Sequence, residues 1–203
     1  MKKRGTLLIV SGPAGSGKGT VNGILLENKE KYSFSVSATT RNPRPGEIDG
    51  VHYFFITRQQ FEEKVAANEF LEHAEYVGNC YGTLRSFVEG KLENGVNVIL
   101  DIEVQGAFQV KEKMPEALMV FLCPPNYATL EKRLRGRGTE TEEVIKKRLA
   151  TAMGEIRLAE KYDYLVINED NKAAECAAKI DGIIDTRPEL DKNAIKEFIK
   201  NNY

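Results

Sequence analysis

The stretch that most constrains this chain is Leu7–Thr20, which reads Leu-Leu-Ile-Val-Ser-Gly-Pro-Ala-Gly-Ser-Gly-Lys-Gly-Thr. Leu7–Val10 is a short apolar run of the kind that forms a strand buried on both faces. Ser11–Gly17 then packs three glycines and a proline into seven residues, and Lys18 follows. From Thr20 the pattern turns helical. A strand, a glycine loop, a lysine and a helix together build a cradle for phosphate. The glycines let successive backbone N–H groups turn towards an anion, and the helix N-terminus adds partial positive charge. Lys18 adds a full charge. The residues of this cradle are Gly12, Pro13, Ala14, Gly15, Ser16, Gly17, Lys18, Gly19 and Thr20. The spacing fits G-x-x-x-x-G-K, but Gly19 stands where Ser or Thr usually follows, with Thr20 one position later. A glycine-rich turn beside a surface lysine is the plainer reading, and the flanking strand and helix argue against it.

Composition limits what such a site can serve. The 203 residues suit one α/β domain with small insertions. Net charge is −1, from 29 Lys+Arg against 30 Asp+Glu, so no duplex-binding surface is expected and any anion site is local. Cys80, Cys123 and Cys176 are far apart and odd in number, and His52 and His73 lack metal-ligand spacing. Free cysteines suit a reducing, cytoplasmic setting. The basic Lys2-Lys3-Arg4 precedes an apolar run too short for a signal peptide, and nothing approaches a membrane span.

The rest of the chain reads as alternating strands and helices. Thr20–Asn28 is a helix with Val21, Ile24 and Leu25 on one face, and Gly23 within it suggests close packing on a sheet. Tyr32–Ser37 alternates as a single period-two strand. Residues 38–50 hold two prolines, two glycines and two arginines and form a loop, whose prolines would keep Arg41 and Arg44 converged on a phosphate. Val51–Ile56 reads as a strand and residues 58–67 as a helix. Two strands joined at Gly78 follow. Val96–Asp101 and Ala117–Cys123 are apolar strands, separated by a helix from Val104 to Met114. Asp101 ends its strand, and ligands of open parallel sheets bind beyond strand C-termini, which would put it beside the glycine loop. After a helix from Tyr127 to Leu134, Gly136 and Gly138 flank Arg137, and Thr139 with Glu142 forms a capping box for a helix starting near Glu140. Ile145, Leu149, Ala152, Ile156 and Ala159 mark its apolar face, with Arg148 one residue off it. Tyr164–Asn168 is a last core strand. Helices from Lys172 to Asp185 and from Leu190 to Ile199 complete the chain.

Thr39-Thr40-Arg41-x-x-Arg44-x-x-Glu47-x-x-Gly50-x-x-Tyr53-x-Phe55-Ile56, downstream of the glycine loop, resembles the signature of the guanylate kinase family. The resemblance runs from about Gly5 to about Thr186. It implies an α/β fold: a three-layer P-loop kinase core with a parallel sheet, an inserted mixed α+β GMP-binding subdomain and a helical lid. The core would comprise 5–34, 84–134 and 160–186, the GMP-binding subdomain 35–83, the lid 135–159, and a helical tail 187–203. It implies ATP-dependent phosphorylation of GMP, and of dGMP, with Mg²⁺ bound along with ATP, and no obligate protein partner, nucleic acid or membrane. By the same resemblance Lys18, Arg41, Arg137 and Arg148 are catalytic, the last two from the lid. Asn168 joins the cradle residues on ATP. Ser37, Arg41, Arg44, Glu47, Tyr53, Glu72, Tyr81, Thr83 and Asp101 bind GMP, with Glu72 and Asp101 the carboxylates near the base, Ser37 and Thr83 the hydroxyl partners of that base, and Glu47 supporting the arginines. No direct protein ligand for the metal is expected, with Thr20 and Asp101 reaching it through water.

The chemistry agrees with these residue types. Two unit charges ~4 Å apart at an effective dielectric of ~20 repel by about 4 kcal/mol, so joining two phosphates requires cations. A phosphate acceptor with a second pKa of ~6 needs no general base, and the lack of a Ser/His triad follows. Guanine presents N1–H and N2–H₂ donors that a carboxylate accepts, whereas adenine has no N1–H. Two rivals remain. An inactive interaction module would typically lose Lys18 or reshape its loop, and no SH3- or PDZ-like segment is expected within these 203 residues. A phosphate-loop kinase for another acceptor is hinted at by Gly19-Thr20, which resembles adenylate kinases; the Arg41–Tyr53 signature and Glu72 argue against it.

Overall fold

The computed structural model describes residues 3–136 and 141–203. In chain order the elements begin β1 (Leu7–Ser11), α1 (Lys18–Leu26), β2 (Tyr32–Phe34), β3 (Ser37–Thr39), β4 (Phe54–Phe55) and α2 (Arg58–Ala66). They continue β5 (Phe70–Tyr76), β6 (Asn79–Leu84), α3 (Arg85–Glu93), β7 (Asn97–Asp101), α4 (Val104–Lys113) and β8 (Leu118–Cys123). The last are α5 (Tyr127–Arg135), α6 (Glu142–Arg157), a 3₁₀ turn at Ala159–Lys161, β9 (Tyr164–Ile167), α7 (Ala173–Thr186) and α8 (Lys192–Asn202). A parallel five-stranded sheet has the order β2-β7-β1-β8-β9, and a four-stranded sheet has the order β4-β3-β6-β5. The α/β class and the parallel sheet are as the strand–helix alternation implies.

The chain forms two compact units. One comprises residues 1–8, 29–100 and 105–117, and the other 9–28, 101–104 and 118–203. The first holds the whole four-stranded sheet. Its pairings are antiparallel for β3–β6 and β5–β6 and parallel for β3–β4. Ala38, Phe61, Phe70 and Cys80 form its core, with Phe54, Ile56, Val65 and Leu84 packed against them. The rings of Phe61 and Phe70 stack at 4.4 Å between centroids. Thr57 and Gln60 close a capping box at the start of α2, a T-x-x-Q signal that sequence reading passed over.

Three local expectations change. The run Tyr32–Ser37 is not one strand. Tyr32–Phe34 pairs with Asn97–Ile99 in the parallel sheet, and Ser37–Thr39 pairs with Tyr81–Thr83 in the other. The alternation breaks at the crossover, where Phe34 is 44% exposed and Ser35 is buried. Val51–Ile56 shrinks to Phe54–Phe55, because Ile48–Tyr53 forms a turn closed by Gly50 N–H to the Tyr53 carbonyl at 2.8 Å. Gly23 does not serve close packing, since a Cβ built there would meet nothing within 4 Å.

In the second unit β8 is buried along its whole length. Helix α1 packs with α7, and α7 packs with β9. The apolar face read for α6 is buried at Ile145, Leu149, Ala152 and Ile156. Thr141 is the N-cap of α6. The proposed Thr139–Glu142 capping box and Arg137 fall on residues 137–140, outside the described residues.

Candidate active site

The phosphate loop is shaped by close approach as much as by turning. Gly12, Gly15 and Gly17 have φ of 153°, 87° and 89°, which side chains rarely adopt. A Cβ on Gly12 would lie 2.1 Å from the Leu122 carbonyl oxygen, and one on Gly17 would lie 2.3 Å from Asn168 Nδ2. Gly17 caps α1, so the helix starts at Lys18, two residues before the sequence pattern shows it. The Lys18 ammonium donates to the Gly12 and Pro13 carbonyls and closes the loop on itself. Pro13 to Thr20, with Asp101 and Arg133, line a cavity of about 370 Å³. Asp101 accepts from Asn22 Nδ2 at 3.3 Å. Burial raises its pKa, against the opposing pull of Lys18 and the Asn22 hydrogen bond.

A second cavity in this unit, of about 450 Å³, is lined by Gly12, Ala14, Lys18 and Glu103 and by α6 residues including Arg148 and Glu155. Lys18 and Arg148 therefore border one space. Burial raises the pKa of Glu155, Lys18 lowers it and Glu103 raises it further.

A third cavity, of about 500 Å³, lies between the loop and the residues after β9. Asn168 sits at its inner wall, 5% exposed, and donates from Nδ2 to the Ser16 carbonyl at 2.8 Å. Arg133 on α5 donates to the Asn168 carbonyl at 2.8 Å and the Gly15 carbonyl at 3.4 Å, and pairs with Asp170 at 2.7 Å. One guanidinium thus ties the loop to the end of β9.

The first unit presents a different kind of site. Ser37, Thr83 and Glu72 occupy one row across β3, β6 and β5. The register slips between Phe70 and Glu72, so Leu71 is the extra residue of a β-bulge and Glu72, not Leu71, stands opposite Thr83. The Thr83 hydroxyl donates to Glu72 Oε1 at 2.6 Å, with Thr83 fully buried and Glu72 8% exposed. Burial raises the Glu72 pKa, and its two hydrogen bonds with Thr83 and the charge of Lys113 oppose that rise.

Next to this row the arginine loop is held by side chains. Thr39 Oγ1 donates to the Cys80 carbonyl and accepts from Arg41 N–H, and Thr40 Oγ1 accepts from Cys80 N–H at 2.8 Å. Glu47 accepts from the Arg41 guanidinium at 2.9 Å and from Arg44 N–H at 2.7 Å. These bonds bring the Glu47 pKa down to about 2. The Arg41 guanidinium carbon lies 5.4 Å from the Tyr53 ring centroid, and Tyr53 and Tyr81 meet edge to face at 6.2 Å. The loop is thus organised by Glu47 and the two threonines as well as by Pro43 and Pro45.

Residues 4–185 match the family model described as Guanylate kinase. The chain is 52% identical over 173 residues to a guanylate kinase of Halalkalibacterium halodurans, covering 85% of each. It is 47% identical over 196 residues to one of Clostridioides difficile, covering 97% of this chain and 93% of that one. A crystal structure of guanylate kinase from Anaplasma phagocytophilum superposes with a TM-score of 0.67 at 33% identity, covering 99% of this chain and 96% of that one. The chain belongs to the guanylate kinase family.

Against the guanylate kinase reading of the sequence, Glu72, Thr83 and Ser37 come together, as do Arg41, Glu47, Tyr53 and Tyr81. Asp101, expected near the base, accepts from Asn22 and feels the charge of Lys18 at the phosphate loop. Arg44 is exposed, with its backbone N–H rather than its guanidinium bound to Glu47. Sequence reading gave no role to Arg133, Asn22, Glu103 or Glu155. Only the (i, i+4) spacing of Lys18 and Asn22 on a helix hinted at any of these.

Proposed function

We propose that this chain is a kinase that transfers the γ-phosphoryl group of ATP to GMP, giving ADP and GDP, and accepts dGMP as well. Glu72 carries the acceptor assignment. A buried carboxylate bonded to a buried threonine is positioned to accept the N1–H and N2–H₂ of guanine. Adenine would leave that carboxylate without a donor, at a cost of about 1–3 kcal/mol.

In this reading Gly12 to Thr20 bind the triphosphate, with Lys18 countering its charge. The cavity beside Asn168 and Arg133 takes the donor base. Ser37 and Thr83 accompany Glu72 at the acceptor base, while Arg41, Arg44, Tyr53 and Tyr81 hold the acceptor phosphate and Glu47 orients the arginines. Arg148, with Arg137, completes the cation set at the transferring group. Asp101 is the second carboxylate near the acceptor base, held by Asn22 and beside the charge of Lys18. Residues 35–83 serve as the acceptor subdomain, 135–159 as the lid, and the remainder of 5–186 as the core.

Magnesium fits the residues present. Thr20 and Asp101 are hard oxygen donors lining the loop cavity, and among the described residues no cluster of three His, Cys, Asp or Glu forms a separate metal cage. The metal would be held by the triphosphate, with these two residues oriented towards its waters. When bound it neutralises developing charge on the β- and γ-phosphates. The acceptor phosphate is already deprotonated at neutral pH, so the protein's part is to position and neutralise. Cys80, Cys123 and Cys176 are all free and buried, consistent with work in a reducing cytoplasm.

A coupled assay with ATP and each nucleoside monophosphate tests the reading. Turnover with GMP and dGMP and little with AMP is expected. No turnover with any acceptor would favour an interaction module, and a preference for AMP would overturn the role of Glu72.

A further inference from the structure

Helix α8 lies beyond the residues that match the family model, and neither the phosphate loop nor the acceptor row uses it. Its N-terminus is capped by Asp191, which accepts from Ala194 N–H at 2.9 Å. Lys192 donates to the Tyr162 carbonyl, and Ile195 is buried. The helix leads to Tyr203, whose ring sits 6.2 Å from that of Phe198. The Tyr203 hydroxyl donates to the Pro124 carbonyl at 2.7 Å and accepts from the Cys123 thiol at 3.5 Å. Burial pushes the Cys123 thiol up to about 12 and raises the Tyr203 hydroxyl as well, so both hold their protons and these bonds persist across the working pH range.

The place where Tyr203 attaches is not neutral ground. One residue before Cys123, the Leu122 carbonyl oxygen lies 2.1 Å from where a Cβ on Gly12 would fall, so this strand end packs directly against the phosphate loop. Two residues after Pro124, Asn126 caps α5 by accepting from Thr129 N–H at 2.9 Å. Helix α5 carries Arg133, whose guanidinium holds the Gly15 and Asn168 carbonyls and Asp170. The charge of Arg133 also acts on the Tyr203 hydroxyl. The hydroxyl therefore fixes the junction between a strand that supports the loop and a helix that clamps it.

We propose that Tyr203 is a positioning residue for the donor nucleotide, its hydroxyl holding the β8–α5 junction so that Arg133 keeps the phosphate loop and the end of β9 in register for ATP. The proposal rests on the reading of the Asn168–Arg133 cavity as the donor-base pocket. Tyr203→Phe retains the ring and removes only the hydroxyl, so the fold should survive.

Steady-state kinetics with ATP and GMP varied separately test this, using Tyr203→Phe, Arg133→Ala and the double variant, each checked for folding by circular dichroism. For Tyr203→Phe, KM for ATP should rise by about three- to tenfold, the value of one hydrogen bond, with KM for GMP and kcat within about twofold. In the Arg133→Ala background the same change should add little, because its route of action is gone. An unchanged KM for ATP, equal rises in both Michaelis constants, or full additivity with Arg133→Ala would overturn the proposal. If Arg133→Ala alone left KM for ATP unchanged, the donor-pocket reading itself would fail, and with it the route proposed for Tyr203.

Discussion

In the proposed function the phosphate loop and the acceptor row solve the same problem, holding a charged ligand in place, by opposite means. The loop is contiguous. It is one run of chain, Gly12 to Thr20, and its shape follows from three glycines at positive φ. The row is assembled from three strands, Ser37 on β3, Thr83 on β6 and Glu72 on β5, and its polar groups are side chains. A contiguous backbone site depends on what each residue can adopt locally. An assembled site depends on register, so a shift of one residue would replace its carboxylate with a leucine.

The sharpest test of the loop is Lys18→Ala. Removing the one full positive charge in the Gly12–Thr20 segment should lower kcat by about 10²–10³-fold or more while the protein stays folded, and near-normal turnover in a coupled assay would remove Lys18 from the site. The matching test of the row is Glu72→Gln. An amide offers only one acceptor oxygen to guanine's two donors and brings its own N–H₂ against them. KM for GMP should rise by roughly 10–100-fold, corresponding to about 1–3 kcal/mol, with KM for ATP little changed. Equal rises would show that Glu72 does not read the base. The raised pKa of Glu72 gives this test a pH arm. Guanine needs the carboxylate ionised, so GMP affinity should fall as pH drops through that raised value, and Glu72→Gln should flatten the profile.

Two glycines of the loop separate local strain from simple absence of a side chain. Gly17→Ala places a Cβ at φ 89° and against Asn168 Nδ2, so it should cost about 1–3 kcal/mol in urea unfolding and weaken ATP binding. Gly19→Ala should change stability by less than about 0.5 kcal/mol, since a Cβ there meets nothing within 4 Å. Equal losses would show that steric fit is not what distinguishes them. The smallest effect concerns the arginine loop. Glu47 titrates at about 2 in place of 4.5, so its contribution to stability is complete above about 4.5 and is lost as pH falls towards 2. The stability difference between the wild-type protein and Glu47→Gln should shrink over that window in acid unfolding curves. A constant difference from pH 7 to 2 would disprove the linkage.

Much of the loop was legible because its signals are local. Glycines at turning positions, a buried apolar strand before them and a lysine after them each act on their own neighbourhood. The arginine segment was legible as a loop with two converging arginines, but the residues that hold it were not, and the reason is visible in the structure. Thr39 and Thr40 bond to Cys80, some forty positions away, and no spacing rule encodes that. The tie from Arg133 to the Asn168 carbonyl spans a similar gap. Local pattern also misled. Tyr32–Ser37 alternates as one strand should, yet its two halves join different sheets, because alternation records which faces are apolar and not which neighbour covers them.

By itself the sequence determined the α/β class, the phosphate loop and the residue types of both sites. Backbone freedom at glycine, β-propensity of apolar runs and the charge of Lys18 are properties each residue carries into any fold. Tertiary structure decided which residues meet. The bulge at Leu71 turns Glu72 towards Thr83, Asn168 enters the space that Gly17 leaves open, and Tyr203 reaches Pro124 from the far end of the chain. Those outcomes depend on the register of whole strands and the packing of whole helices. Their free energy is shared across many residues, and no short stretch of sequence holds it.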